Sequence, residues 1–189
     1  MKKLQWDKVR VLVANYCNYK CPFCHNEGQG KTTTKERMSL QSFRRLVDIL
    51  SNQLISEFNI SGGEPFLNED IVDMILYIND NLDCDISCAT NLSLIKPEHI
   101  SVLSGTRIKF NIQFPFATAE AFKQSTVTGN LDRILTNIDL LCAENIQVGL
   151  NTVVQSDDFS SISTLIDFAL ERGLPLKLLP QIGLSGSNQ

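Results

Sequence analysis

Cys17, Cys21 and Cys24 crowd into one short segment, Cys17-Asn-Tyr-Lys-Cys21-Pro-Phe-Cys24. Thiolates are the standard ligands of iron–sulfur clusters, and three on so short a stretch point to shared metal ligation. A four-iron cluster held by only three thiolates keeps one iron without a protein ligand. The logic parallels catalytic zinc, where an open coordination position admits substrate. Other readings share these residues. Cys21-Pro-Phe-Cys24-His25 also fits covalent haem attachment, a chemistry that requires export, and three Cys with His25 make an acceptable zinc set. Purely structural thiols fit such a polar, turn-forming loop poorly.

A second group is Ser61-Gly62-Gly63-Glu64-Pro65. Two glycines let the backbone approach a ligand closely, and a carboxylate can receive an ammonium. On its own the segment reads equally as a turn before a helix. Polar groups then recur where further strands end: Thr90-Asn91, Gln113 and Asn151. Each alone suits a loop residue. Five consecutive strands delivering cysteine or polar groups to one rim match an active face at the C-terminal ends of barrel strands.

The elements that must position these residues alternate. Short β-branched runs predict strands over Val9–Val13, Phe58–Ser61, Asp85–Thr90, Ile108–Phe114, Gln147–Val153 and Leu176–Leu179. Helical spacing joins Leu40, Phe43, Leu46, Val47 and Leu50 behind a Ser39 cap, and joins Ile71, Met74, Ile75 and Ile78 behind Asn68, Glu69 and Asp70. A shorter pattern follows Pro97. Two more use Ile134, Leu135, Ile138 and Leu141, then Ile162, Leu165, Ile166, Ala169 and Leu170 with Gly173 as the stop. Six strands in strict alternation with five helices predict an α/β fold. Its form is a partial (β/α)6 TIM-like barrel of parallel strands, lacking its last helix in this chain. No Gly-rich turn follows the first strand, so a dinucleotide-binding doubly wound sheet has little support. Residues 1–182 are expected to form this core and 183–189 a loose tail. The uncovered sixth strand calls for a longer natural protein or a covering partner.

Composition narrows the class. The 189 residues carry a formal charge of −4 and are 43% hydrophobic and 20% charged, as in an ordinary globular domain. No clustered Lys/Arg footprint marks a nucleic-acid partner. No apolar stretch reaches membrane-span length, and Asp7, Lys8 and Arg10 break up what could be a signal peptide, so the expected location is cytoplasmic. Reduced thiols follow from that location. Cys84, Cys88 and Cys142, set among apolar residues, are expected to be core or half-buried.

The CxxxCxxC spacing, with an aromatic just before its last Cys, resembles the radical S-adenosylmethionine (SAM) superfamily. The resemblance implies a [4Fe-4S] cluster on Cys17, Cys21 and Cys24, with SAM chelating the fourth iron. It further implies that one electron cleaves SAM, giving a 5′-deoxyadenosyl radical that abstracts hydrogen from a substrate. Phe23 would sit beside the adenine, and Gly62, Gly63, Glu64 and Pro65 would bind the SAM amino group. Thr90, Asn91, Gln113 and Asn151 would complete the cofactor site. The nearest branch is the molybdenum-cofactor GTP cyclases, which Thr128–Leu135, Leu150–Val154 and Cys24-His25-Asn26-Glu27-Gly28 resemble. Arg10 then takes the place of a substrate-binding arginine.

Departures from that branch argue against GTP as the substrate. Asn59 stands where an arginine is usual, Gly149 replaces a substrate-contacting lysine, and Leu92 replaces a common glycine. Cysteines for a second, substrate-binding cluster are absent. A small-molecule or peptide substrate is therefore expected, with an external one-electron donor such as flavodoxin or ferredoxin. Two further readings remain: a glycyl-radical activating enzyme acting on a protein, which His25-Asn26 also resembles, and a non-catalytic iron–sulfur or zinc module.

Overall fold

The computed structural model describes residues 4–24, 34–154 and 159–181. The β-branched runs form six strands: β1 (Gln5–Leu12), β2 (Leu54–Ser61), β3 (Asp85–Thr90), β4 (Ile108–Gln113), β5 (Gln147–Val154) and β6 (Leu176–Pro180). They lie in sequence order, each parallel to the next, in one curled half-barrel open between β1 and β6. A parallel alignment puts all the C-terminal strand ends on one rim, which is where the candidate residues fall.

The helices between them are α1 (Leu40–Leu50), α2 (Ile71–Asn81), α3 (Pro97–Leu103), α4 (Ala119–Thr126), α5 (Leu131–Ala143) and α6 (Phe159–Glu171). Ser39 caps α1 as anticipated, its Oγ accepting the Ser42 N–H at 3.2 Å. At α2 the expected acceptors and negative charge stand at the helix start, with Asp70 at the cap position, although Asp70 makes no side-chain bond there. Asn68 accepts the Asp70 N–H instead and donates to the carbonyls of Val13 and Met38, fastening the start of α2 to the end of β1. Gly173 closes α6 with φ of +63°.

One helix was not expected. α4 is short, and Phe122 is its one large buried apolar side chain, joined by Ser125 and Thr126. So few apolar positions leave no 3.6-residue pattern to read. Strict one-to-one alternation therefore gives way to two helices between β4 and β5.

Side chains alternate across the strands. Phe58, Ile60, Ile86, Cys88, Ile108, Phe110, Ile112, Val148 and Leu150 face the helices and are buried with Phe43, Phe114 and Phe122. Burying each such side chain contributes about 1.5–3 kcal/mol. The opposite, concave face is polar. Cys84 and Cys88 are buried as expected, but Cys142 is exposed: it lies on the outer side of α5. No helix among the described residues is long and apolar enough to cross a membrane.

Candidate active site

Beyond Leu12 the chain keeps its alignment with the end of β2. Val13 N–H donates to Ser61 O at 2.9 Å, Gly63 N–H to Ala14 O at 2.9 Å, and Glu64 N–H to Tyr16 O at 3.0 Å. The cysteine loop and the Gly62–Glu64 turn thus continue the parallel pairing past the strand ends. Here the glycines are required. Gly62 adopts φ of +148°, and a Cβ on it would collide with the Ala14 carbonyl. A Cβ on Gly63 would drive into the Tyr16 carbonyl group and lie 2.8 Å from Cys17 N. The close approach read as room for a ligand is made by the cysteine loop itself.

Glu64 is fully buried. Its Oε1 accepts the Phe66 N–H at 3.0 Å and the Thr90 hydroxyl at 2.7 Å, and its Oε2 accepts the Asn91 N–H at 2.8 Å. Burial pushes the carboxyl up from its usual range, against three hydrogen bonds that favour the charged form. The carboxylate therefore locks the turn to the end of β3. Thr90 is spent on this contact and on accepting the Leu92 N–H, so it faces Glu64 rather than the concave side.

Asn91 holds the loop from the other side. Its Nδ2 donates to Asn18 Oδ1 at 2.9 Å and lies 3.7 Å from Cys17 Sγ, while its Oδ1 accepts from the Ser93 backbone and hydroxyl. Asn18 Nδ2 donates in turn to Ser93 Oγ at 2.8 Å. On the far flank, Lys20 N–H donates to Thr126 O and the Thr128 hydroxyl donates to Asn18 O. Unexpected α4 and the turn after it are thus a wall of the cysteine loop.

The thiols lie within electrostatic reach of one another. Burial raises Cys17, with the charges of Glu64 and Cys24 adding to it, although the Tyr19 N–H directed at its sulfur at 3.3 Å opposes this. Cys21 is pushed up to about 12, by burial first and then by Cys17 and Cys24. Among the described residues, no three His, Cys, Asp or Glu side chains converge as a single metal ion requires. His25, the fourth member of the zinc and haem readings, lies outside the described residues, as does Asn26. Phe23 is buried as part of the hydrophobic core, as are Tyr19 and Cys21. Pro65 begins a short turn of 3₁₀ helix over Pro65–Leu67.

Gln113 and Asn151 are register partners on adjacent strands and share the concave face. The Gln113 Nε2 is buried and has no hydrogen-bond partner among the described residues. A buried donor without a partner is costly, which marks a place built for something else. Arg10 lies lower on this face, its Nε donating to Asn59 Oδ1 at 3.0 Å. Asn59 Nδ2 donates to Ser87 Oγ at 2.7 Å, Ser87 to Glu57, and Lys8 pairs with Glu57 at 2.8 Å. Of these residues the sequence singled out Arg10 and Asn59; Lys8, Glu57 and Ser87, and Lys109 and Asn111 on β4, were not read as part of a site. The signal was there: Lys8/Arg10, Glu57/Asn59, Asp85/Ser87 and Lys109/Asn111 alternate with apolar residues at strand period. Together they line a cavity of about 780 Å³.

Residues 11–169 match the family model of the Radical SAM superfamily. The chain is 28% identical over 176 residues to a GTP 3′,8-cyclase of Clostridium perfringens, covering 92% of this chain and 54% of that protein. It is 29% identical to a probable GTP 3′,8-cyclase of Thermococcus kodakarensis, covering 90% and 55%. It thus spans about half the length of these relatives. Its fold matches Streptococcus suis SuiB bound to S-adenosylmethionine with a TM-score of 0.85 at 17% identity, over 96% of this chain and 42% of that one. Native anSMEcpe with bound AdoMet gives 0.79 at 15% identity, over 97% and 55%. With the family model covering the C-terminal ends of β1 to β5, the cysteine loop and five of the six helices in full, the chain belongs to the radical SAM superfamily and, within it, is similar to the GTP 3′,8-cyclases.

Proposed function

We propose that this chain is the core of a radical SAM enzyme, in which Cys17, Cys21 and Cys24 hold a [4Fe-4S] cluster. When bound, that cluster supplies the electron for reductive cleavage of SAM and hence for hydrogen abstraction from a substrate. The observation that carries the reading is the double clasp on the cysteine loop: Gly62 and Gly63 pressed against Ala14–Cys17, and Asn91 reaching Asn18 and the Cys17 sulfur. The three thiols lie within electrostatic reach of one another, and a multi-iron group takes each thiolate at a different iron.

Each residue has a distinct task. Glu64 fixes the turn to β3 through Thr90 and Asn91, so its part in the SAM site is to hold the rim in shape. Gln113 offers its unpartnered buried amide to SAM, with Asn151 beside it. Buried Phe23 and Pro65 stiffen the two loops that face each other. The concave cavity below, with Arg10 oriented by Asn59, receives the substrate. The electron comes from an external carrier of flavodoxin or ferredoxin type. SuiB has been seen with its precursor peptide SuiA, but the polar, cation-bearing cavity here favours a small molecule.

The test is anaerobic reconstitution with iron and sulfide, followed by reduction in the presence of SAM. Formation of 5′-deoxyadenosine is expected. Zinc uptake without sulfide, or a cluster that never cleaves SAM, would overturn the catalytic reading.

A further inference from the structure

We infer that Lys109 anchors an anionic group of the substrate on the concave face, and that Gly149 is small in order to admit the Lys109 side chain; this rests on reading that face as the substrate's place.

Gly149 lies within β5 opposite Asn111 of β4. Glycine inside a strand weakens it and normally answers a backbone need. Neither usual need applies. Gly149 is not among the residues with positive φ. A Cβ there would meet Asn111 Oδ1 at 3.5 Å, Lys109 Cε at 3.5 Å and Pro175 O at 3.8 Å, all ordinary contacts. What glycine provides is room for a neighbour. Lys109 pairs in register with Gln147, yet its Cε lies over position 149, one step nearer the strand ends. The side chain thus passes through the space a larger residue at 149 would fill, with its ammonium still within electrostatic reach of Glu57 on the same concave face.

The charges around it leave that ammonium available. Lys8 is taken by Glu57 at 2.8 Å, and Glu57 also accepts from Ser87. Arg107 is taken by Asp83 and by the carbonyls of Asn79 and Leu82. Among the described residues, no hydrogen bond or ion pair engages Lys109; the carboxylate whose titration it affects is Glu57, already committed. A half-buried ammonium with no hydrogen bond or ion pair of its own, in a cavity also lined by the amides of Asn111 and Asn151, the cations Arg10 and Lys177 and the single further carboxylate Asp85, is a receptor for one phosphate or carboxylate group on an otherwise polar small molecule.

The test titrates pyrophosphate and, separately, succinate into the full chain at low ionic strength, by calorimetry, with Lys109→Met, Lys109→Arg and Gly149→Leu alongside. One of the two anions is expected to bind; which one distinguishes a phosphate from a carboxylate substrate. Lys109→Met is expected to weaken it about tenfold or more, and Lys109→Arg to retain it, which separates lost charge from lost fold. Gly149→Leu, which blocks the path of the lysine without touching its charge, is expected to weaken it comparably. Binding of neither anion, or unchanged affinity in Lys109→Met, overturns the anion site; unchanged affinity in Gly149→Leu overturns the role of Gly149. The titration needs neither iron nor SAM, so absence of SAM cleavage and absence of anion binding are separate outcomes.

Discussion

Gly63 lies so close against Tyr16 that no Cβ fits between them: its own N–H reaches Ala14 O, and the next N–H reaches Tyr16 O at 3.0 Å. The position of the cysteine loop is therefore set by the absence of one methyl group.

Gly63→Ala is expected to push the loop off the turn at a cost of about 1–3 kcal/mol, and iron uptake should fall with it. Gly105→Ala is the control. Its φ of +81° makes alanine unfavourable by about 1–2 kcal/mol, but nothing lies within 4 Å of the added carbon. Iron and sulfide per chain, measured beside urea midpoints, should drop for the first variant and stay level for the second at similar stability.

Glu64→Gln replaces an acceptor by a donor where three donors already converge. One of them is left without an acceptor, at about 1–3 kcal/mol. Equilibrium urea unfolding should show a lower midpoint with an unchanged slope, since the surface exposed on unfolding is the same. A midpoint equal to the parent's would mean that the carboxylate does not fasten the turn.

Cys17→Ala, Cys21→Ala and Cys24→Ala are each expected to abolish the reconstituted cluster, while Cys142→Ala, at an exposed position, leaves it intact. Iron analysis and visible absorption decide this. A triple variant that still cleaved SAM would refute the ligand assignment.

Glu57 provides a pH dependence with a definite sign. Burial raises its carboxyl, but the bonds from Lys8 and Ser87 and the charges of Lys8 and Lys109 outweigh this and hold it below the usual range. A lowered folded value contributes stability above the unfolded pKa of about 4.3 and loses it as pH falls through the folded value. Because its partner Lys8 is nearly half exposed and solvent screens the pair, the effect should stay under about 1 kcal/mol. Urea midpoints between pH 7 and pH 3 should fall slightly less steeply in Glu57→Gln than in the parent.

Much of this arrangement was legible in the chain because it is local. β3 occupies the span its β-branched run predicts, and Ser39 caps α1 where the helical pattern begins. The cysteines and the glycine turn announce themselves by spacing. What could not be read was direction. Glu64 meets Thr90 and Asn91, 26 and 27 residues away, and nothing local says that its carboxylate turns inward instead of toward a ligand. α4 escaped notice because one phenylalanine and two small polar residues bury its inner face. Gly149 read only as the absence of a lysine; the sheet shows that Lys109 of the neighbouring β4 brings its Cε to within 3.5 Å of where a Cβ at 149 would stand.

The cysteine loop takes its shape from chain made long after it. Its supports run to Gly63 and Glu64, then to Asn91 and Ser93, and finally to Thr128, whose bond to Asn18 spans 110 positions. During synthesis at about 5–20 residues per second, the three sulfurs leave the ribosome seconds before their last brace exists. The order of supports follows from this: a half-made or misregistered copy lacks the braces from Asn91, Ser93 and Thr128, and its three sulfurs are not yet held in their final arrangement.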